Sequence, residues 1–333
     1  MNSKVVIERA VRLGLLLVLF LLAACNPASK SVIDVSYSYA DNLAAGRLLQ
    51  ALFEVEATAA REGWTITRHE QAADLWDQLG DRERAIPHWM AAAEQQPTEM
   101  GLRRLATALL YLQRWTEAEQ ALGQLSRIVP ADAWTAYQRG LLLAPTEPAE
   151  AVKLLQTASA DVNFVAAARD LMLLLQHDAT NPDAILQIGL WMAGRGFWPQ
   201  AERAFTQAIL LDGRFAEAFA YRGLARNNQQ KSAESDFAQA VTLAPGSAHV
   251  QFLYGLHLRL NEQVENSLTA FITATRLDPT NPAYAAELGA AYERVGDLVQ
   301  ARQWLLRAVD LAGGDARFQQ FVAEFDARYP PTS

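Results

Sequence analysis

Cysteine is nearly missing from these 333 residues: Cys25 is the only one. A single thiol excludes an internal disulfide scaffold and any cysteine-built metal cage. Long apolar runs are scarce as well. The run Leu13 to Ala24 covers twelve residues, whereas a membrane-spanning helix needs about 20, so no spanning helix is expected. Basic charge is in deficit, with 29 Lys and Arg against 37 Asp and Glu and a net charge of −8. Such a chain is repelled by phosphate backbones, and nucleic acid is not expected as a partner. Histidine occurs five times, at positions 69, 88, 177, 249 and 257. None forms HExxH, and neither a phosphate loop nor a nucleophile elbow is present. His249 and His257, eight apart, read as two isolated imidazoles on a helix surface. Glu70, Asp74 and Asp77 share a helix face and read as a solvated acidic surface. No catalytic group, metal site or cofactor is expected, so the chain does not read as an enzyme.

What is present begins at the N-terminus. Lys4, Arg9 and Arg12 precede the apolar run, and the polar stretch Asn26 to Ser31 follows Cys25. A charged head, a short apolar core and small residues before a cleavage point are the parts of a secretory signal. Leu22-Ala23-Ala24-Cys25 resembles the lipobox of bacterial lipoproteins. That resemblance implies cleavage after Ala24 and lipidation of Cys25, with palmitate-type acyl chains anchoring the mature chain to a membrane outside the cytoplasm. Asn26 is not the aspartate that commonly retains such proteins at the inner membrane, which favours the outer one where two exist.

The remainder repeats. Leu288-Gly289, Tyr292, Gly296, Ala301, Leu305 and Ala308 punctuate one helix–turn–helix stretch. Tyr254-Gly255, Leu258, Ser267, Phe271 and Ala274 recur 34 positions earlier, and Ile188-Gly189, Met192, Gly196, Ala201, Phe205 and Ala208 repeat the pattern again. Small residues late in the first helix and seven apart in the second let helices approach closely. The turn glycine accepts positive φ, and proline ends the second helix. A period of 34 resembles the tetratricopeptide repeat. The predicted fold is all-α: an α-solenoid of about seven helical hairpins, at 66–98, 99–132, 133–162, 182–215, 216–247, 248–281 and 282–315. These form a first array over 66–162 and a second over 182–315. An extra joining helix lies within 163–181. Residues 1–24 are the expected signal, 25–36 the lipidated cysteine and tether, 37–65 an N-terminal helix, and 316–333 a capping helix and tail. A kink is expected at Pro87.

The tetratricopeptide resemblance further implies a groove lined by the first helices, which holds a peptide or a partner helix. Repeat positions place Trp134, Tyr137, Leu190, Glu217, Leu224, Phe252, Leu256 and Arg259 in it. Leu190, Leu224, Phe252 and Leu256 follow one another, so an apolar peptide or amphipathic helix is the expected ligand. The functional expectation is a membrane-anchored scaffold for protein–protein contacts, with envelope or pilus assembly as the process such lipoproteins serve. Three rival readings remain. One is a self-associating structural module. Another is a groove filled by the chain's own helix. The third, an enzyme with a site near 145–181, has only His177, Asp161, Asp170 and Asp178 to draw on.

Overall fold

The computed structural model describes residues 38–178 and 180–330, so Cys25, the signal and the tether lie outside the described residues. Within them there are eighteen helices and no strand. They divide into two compact units, one ending at His88 and the other beginning at Trp89.

The first unit holds α1 (Tyr39–Ala44), α2 (Leu48–Glu62), α3 (Ile66–Gln78) and the start of α4 (Arg82–Gln95). The single helix expected over 37–65 is two helices. Gly46, at φ +69°, turns the chain between them, and the Ser38 hydroxyl with the Asp41 carboxylate closes a capping box at the start of α1. Ala51, Leu52 and Val55 of α2 pack against Ala72 and Leu75 of α3. Pro87 sits inside α4 and does not divide it.

The second unit continues in adjacent pairs. These are α5 (Glu99–Tyr111) with α6 (Trp115–Ile128), and α7 (Ala133–Leu143) with α8 (Pro148–Ala158). After the lone α9 (Val165–Leu174) come α10 (Pro182–Gly194) with α11 (Trp198–Leu211) and α12 (Ala216–Asn228) with α13 (Glu234–Leu243). Then follow α14 (Ala248–Leu260) with α15 (Val264–Leu277), α16 (Pro282–Arg294) with α17 (Leu298–Leu311), and finally α18 (Ala316–Arg328). Polar caps start the first helices. Thr98, Asp132, Asn181, Ser247 and Asn281 each accept a backbone N–H of the first turn, worth about 1 kcal/mol apiece.

Two local devices set the hairpins. At the turn, one residue takes the left-handed conformation: Gly80, Gly196 and Gly296, but also Gln113, Gln230 and Glu262, at φ 57–60°. Across the pair, a glycine of the first helix admits a large side chain of the second. A Cβ on Gly189 would lie 2.4 Å from Phe205, one on Gly223 2.5 Å from Phe237, and one on Gly255 2.6 Å from Phe271.

The hairpin α7–α8 departs from this scheme. Pro145 and Pro148 replace the left-handed turn, and Arg203 of α11 donates to the Leu142 carbonyl at 3.0 Å, satisfying the end of α7. The joint is packed. Ala168 and Leu171 of α9 are fully buried in the cluster that joins α7 to α11, and Asp170 accepts from Arg195 at 2.6 Å. Its burial is one-sided, since Leu173 is 61% exposed.

Candidate functional site: an apolar seam on the second array

The first helices of the second array carry a row of half-buried apolar side chains. Leu190 of α10 and Tyr221 of α12 pack on the core that runs from α7 to α11. Tyr221 continues into the next cluster with Leu224, Phe252 and Leu256. Phe252 and Leu256 continue into a third, against Phe271 and Leu288. Four of the six predicted groove positions of this array, Leu190, Leu224, Phe252 and Leu256, therefore lie along one seam, with Tyr221 joining Leu190 to the other three. Phe252 is flanked by the Tyr284 ring 4.7 Å away and the Phe271 ring 5.9 Å away.

A polar line runs beside the seam. His249 Nε2 lies 2.6 Å from the Tyr221 hydroxyl, and its Nδ1 lies 3.3 Å from the Tyr284 hydroxyl. Three successive hairpins are thus linked through one imidazole. Burial lowers the His249 pKa, and the Glu217 carboxylate partly offsets this. Burial likewise pushes Tyr221 up to about 12, helped by the nearby Glu217 and Tyr284. At neutral pH the line carries no charge of its own, and the half-buried Glu217 lies beside it. Arg259 is not a free anchor, because its guanidinium is bound to the Glu287 carboxylate. Arg259, Ala286, Glu293, Phe321 and Arg328 bound a cleft of about 220 Å³ where α18 meets the end of the array.

Two predicted positions belong elsewhere. Tyr137 is 5% exposed and stacks on Phe164, with ring centroids 4.8 Å apart; it is core beneath the joint and contributes no open surface. Leu141, Leu186 and Ala220, on the first helices of their hairpins, are buried too. Trp134 is half-buried, and the Arg103 guanidinium sits 4.9 Å over its ring, held there by Asp132 at 3.0 Å and Glu99 at 3.1 Å.

The histidines also differ from expectation. His257 is 2% exposed, stacked on Phe237, and accepts from the Asn227 amide at 2.9 Å. Sequence reasoning also missed a buried ion cluster. Asp236, 2% exposed, takes Arg222 at 2.6 Å and Arg226 at 2.8 Å. Arg226, Gln229 and Lys231 all donate to Glu202 of α11. The spacing of Arg222 and Arg226, four apart on one helix face, was the available signal. Among the described residues no helix is long and apolar enough to cross a membrane.

No protein-family model and no curated protein matches this sequence. Solved structures do resemble it. A fragment of MamA from Desulfovibrio magneticus RS-1, residue 41 to its end, is 23% identical over 56% of this chain and 98% of its own, with a TM-score of 0.36. YrrB, described as a tetratricopeptide-repeat protein with an unusual peptide-binding site, is 18% identical over 62% of this chain and all of its own, with a TM-score of 0.37. Yeast Tom70 is 12% identical over 87% of each chain, with a TM-score of 0.42.

Proposed function

We propose that this chain is a lipid-anchored scaffold outside the cytoplasm, and that its second array captures an apolar peptide or amphipathic helix of a protein partner. The observation that carries the reading is the seam Leu190, Leu224, Phe252 and Leu256. It is continuous across three hairpins and half-open to solvent. An amphipathic helix presents apolar side chains at i, i+3, i+4 and i+7, which suits a row of this kind. Glu217 at its border would favour a basic flank on the ligand.

The anchor rests on the residues around Cys25. Each buried methylene contributes about 0.8 kcal/mol, and lasting attachment needs more than one chain, as lipoprotein processing supplies. Assembly of an envelope or pilus structure is the process this reading favours, at the outer membrane where there are two.

Leu224→Glu with Phe252→Glu tests the seam. Crosslinking in the native cell should lose its partner while helical circular dichroism stays intact; unchanged capture sinks the reading. Cys25→Ser should abolish incorporation of labelled palmitate. Self-association is the rival that Val299 and Leu306 favour, being 68% and 39% exposed on α17. Sedimentation of the purified chain as a stable oligomer that hides the seam would support it instead.

A further inference from the structure

One other place concentrates imidazole, and it lies within the first unit. His69 of α3 and His88 of α4 bring their Nδ1 atoms to 3.0 Å. The Trp64 indole stacks on His69, with centroids 4.7 Å apart and planes at 19°, and its centroid is 4.6 Å from that of His88. Trp64 is 39% exposed and both histidines are half-buried, so the cluster lies at the surface.

A hydrogen bond between these nitrogens requires one ring to carry its proton on Nδ1 while the other offers a lone pair. A metal ion uses both lone pairs. Burial lowers the pKa of both imidazoles, and the neighbouring His69 ring adds to the effect at His88.

If a metal replaces the shared proton without moving the rings, their separation sets its ligand angle. Two nitrogens 3.0 Å apart, each about 2.0–2.1 Å from one metal, subtend about 91–97° at it. Tetrahedral Zn²⁺ prefers about 109°, which needs a separation near 3.3 Å. Cis positions of a tetragonal ion lie near 90°, and imidazole with open positions for oxygen suits Cu²⁺ and Ni²⁺, with Cu²⁺ bound more tightly.

We propose that His69 and His88 form a two-imidazole surface site for a tetragonal divalent transition metal, Cu²⁺ foremost, with water completing the coordination and Trp64 stacked on the ligating rings. Titration of the full-length protein with CuCl₂ tests it, read by tryptophan fluorescence and electron paramagnetic resonance. One equivalent should quench emission and give a signal with nitrogen coupling. His69→Asn with His88→Asn should weaken binding roughly tenfold or more. Trp64→Phe keeps both ligands; it should bind one equivalent with the same resonance signal and lose the quench. Cys25 is common to all these proteins, so copper held by its thiol would titrate identically in each. Identical titrations of the wild type and the double variant, or an undiminished quench in Trp64→Phe, overturn the proposal.

Discussion

Gln113 and Gln229 stand 116 positions apart, yet the Gln113 Nε2 donates to the Gln229 Oε1 at 2.7 Å. Lys231 Nζ closes the contact, donating to the Gln113 side-chain Oε1 at 2.7 Å and to Glu202 Oε2 at 2.8 Å. Hairpins of a repeat protein ordinarily touch only their neighbours; here the turn of α5–α6 meets the turn of α12–α13. Both turns use a non-glycine residue in the left-handed conformation, Gln113 and Gln230.

Glu202 is the hub of that contact, accepting from Arg226, Gln229 and Lys231. Glu202→Ala removes one acceptor from each of three donors, two of them cationic. Urea denaturation should show a loss of about 2–3 kcal/mol. A double-mutant cycle between Gln113→Ala and Gln229→Ala should return a coupling of about 0.5–1 kcal/mol, and additivity would mean the turns do not touch in solution.

Glycine-to-alanine substitution changes sign with position. In an open helix it stabilises by about 0.5–1 kcal/mol, and nothing lies within 4 Å of a Cβ placed on Gly123. At Gly255 the same methyl would meet Phe271 at 2.6 Å. Gly123→Ala should raise the melting temperature. Gly255→Ala should lower stability by about 1–3 kcal/mol through overpacking.

Glu262 is exposed and held at φ 59°, a conformation that costs a side-chain-bearing residue about 1 kcal/mol or more. Glu262→Gly should therefore stabilise, by about 0.5–1 kcal/mol after the extra chain entropy of glycine is counted. Gln113→Gly should gain less, because it also gives up the bonds to Gln229 and Lys231. Chemical denaturation of both variants gives the comparison.

His257 gives the fold a pH dependence of known sign. Burial lowers its pKa below 6.5 in the folded chain, against a partial opposing pull from Glu234. Its Nδ1 accepts from Asn227 and Asn261, a role that protonation removes. Below about pH 6.5 the unfolded chain binds the proton more readily, so stability falls as pH drops through that value and levels off below the folded pKa. Wild type should lose more stability than His257→Gln between pH 7.5 and 5.5. Nuclear magnetic resonance should place the His257 titration below 6.5.

The hairpins were legible because their signals are local. Asn181-Pro182 and Asn281-Pro282 mark helix starts through caps and fixed φ, and Gly189, Gly255 and Gly289 mark close approach by their spacing. Side-chain roles were less legible wherever a distant segment decides them. Tyr137 occupies a groove position by repeat count, but Phe164 from outside the repeats covers it. His249 meets partners 28 and 35 positions away, and His69 meets His88 across a hairpin. No short window contains either pairing. Gln113, Gln230 and Glu262 hide their turns because nothing in their chemistry demands positive φ.

The glycine–phenylalanine pairs have a bearing on how binding could diverge. Phe205, Phe237 and Phe271 of the second helices fix the distance between paired helices from the buried side, while Leu190, Leu224, Phe252 and Leu256 face partly outward from the first helices. Wall spacing and surface lettering are thus written in separate residues. Substitution along the outer row alters the surface offered to a ligand, and at Phe252, which packs on Phe271, it also bears on the frame. A single change at a buried glycine would shift the frame and leave every outward residue as it was.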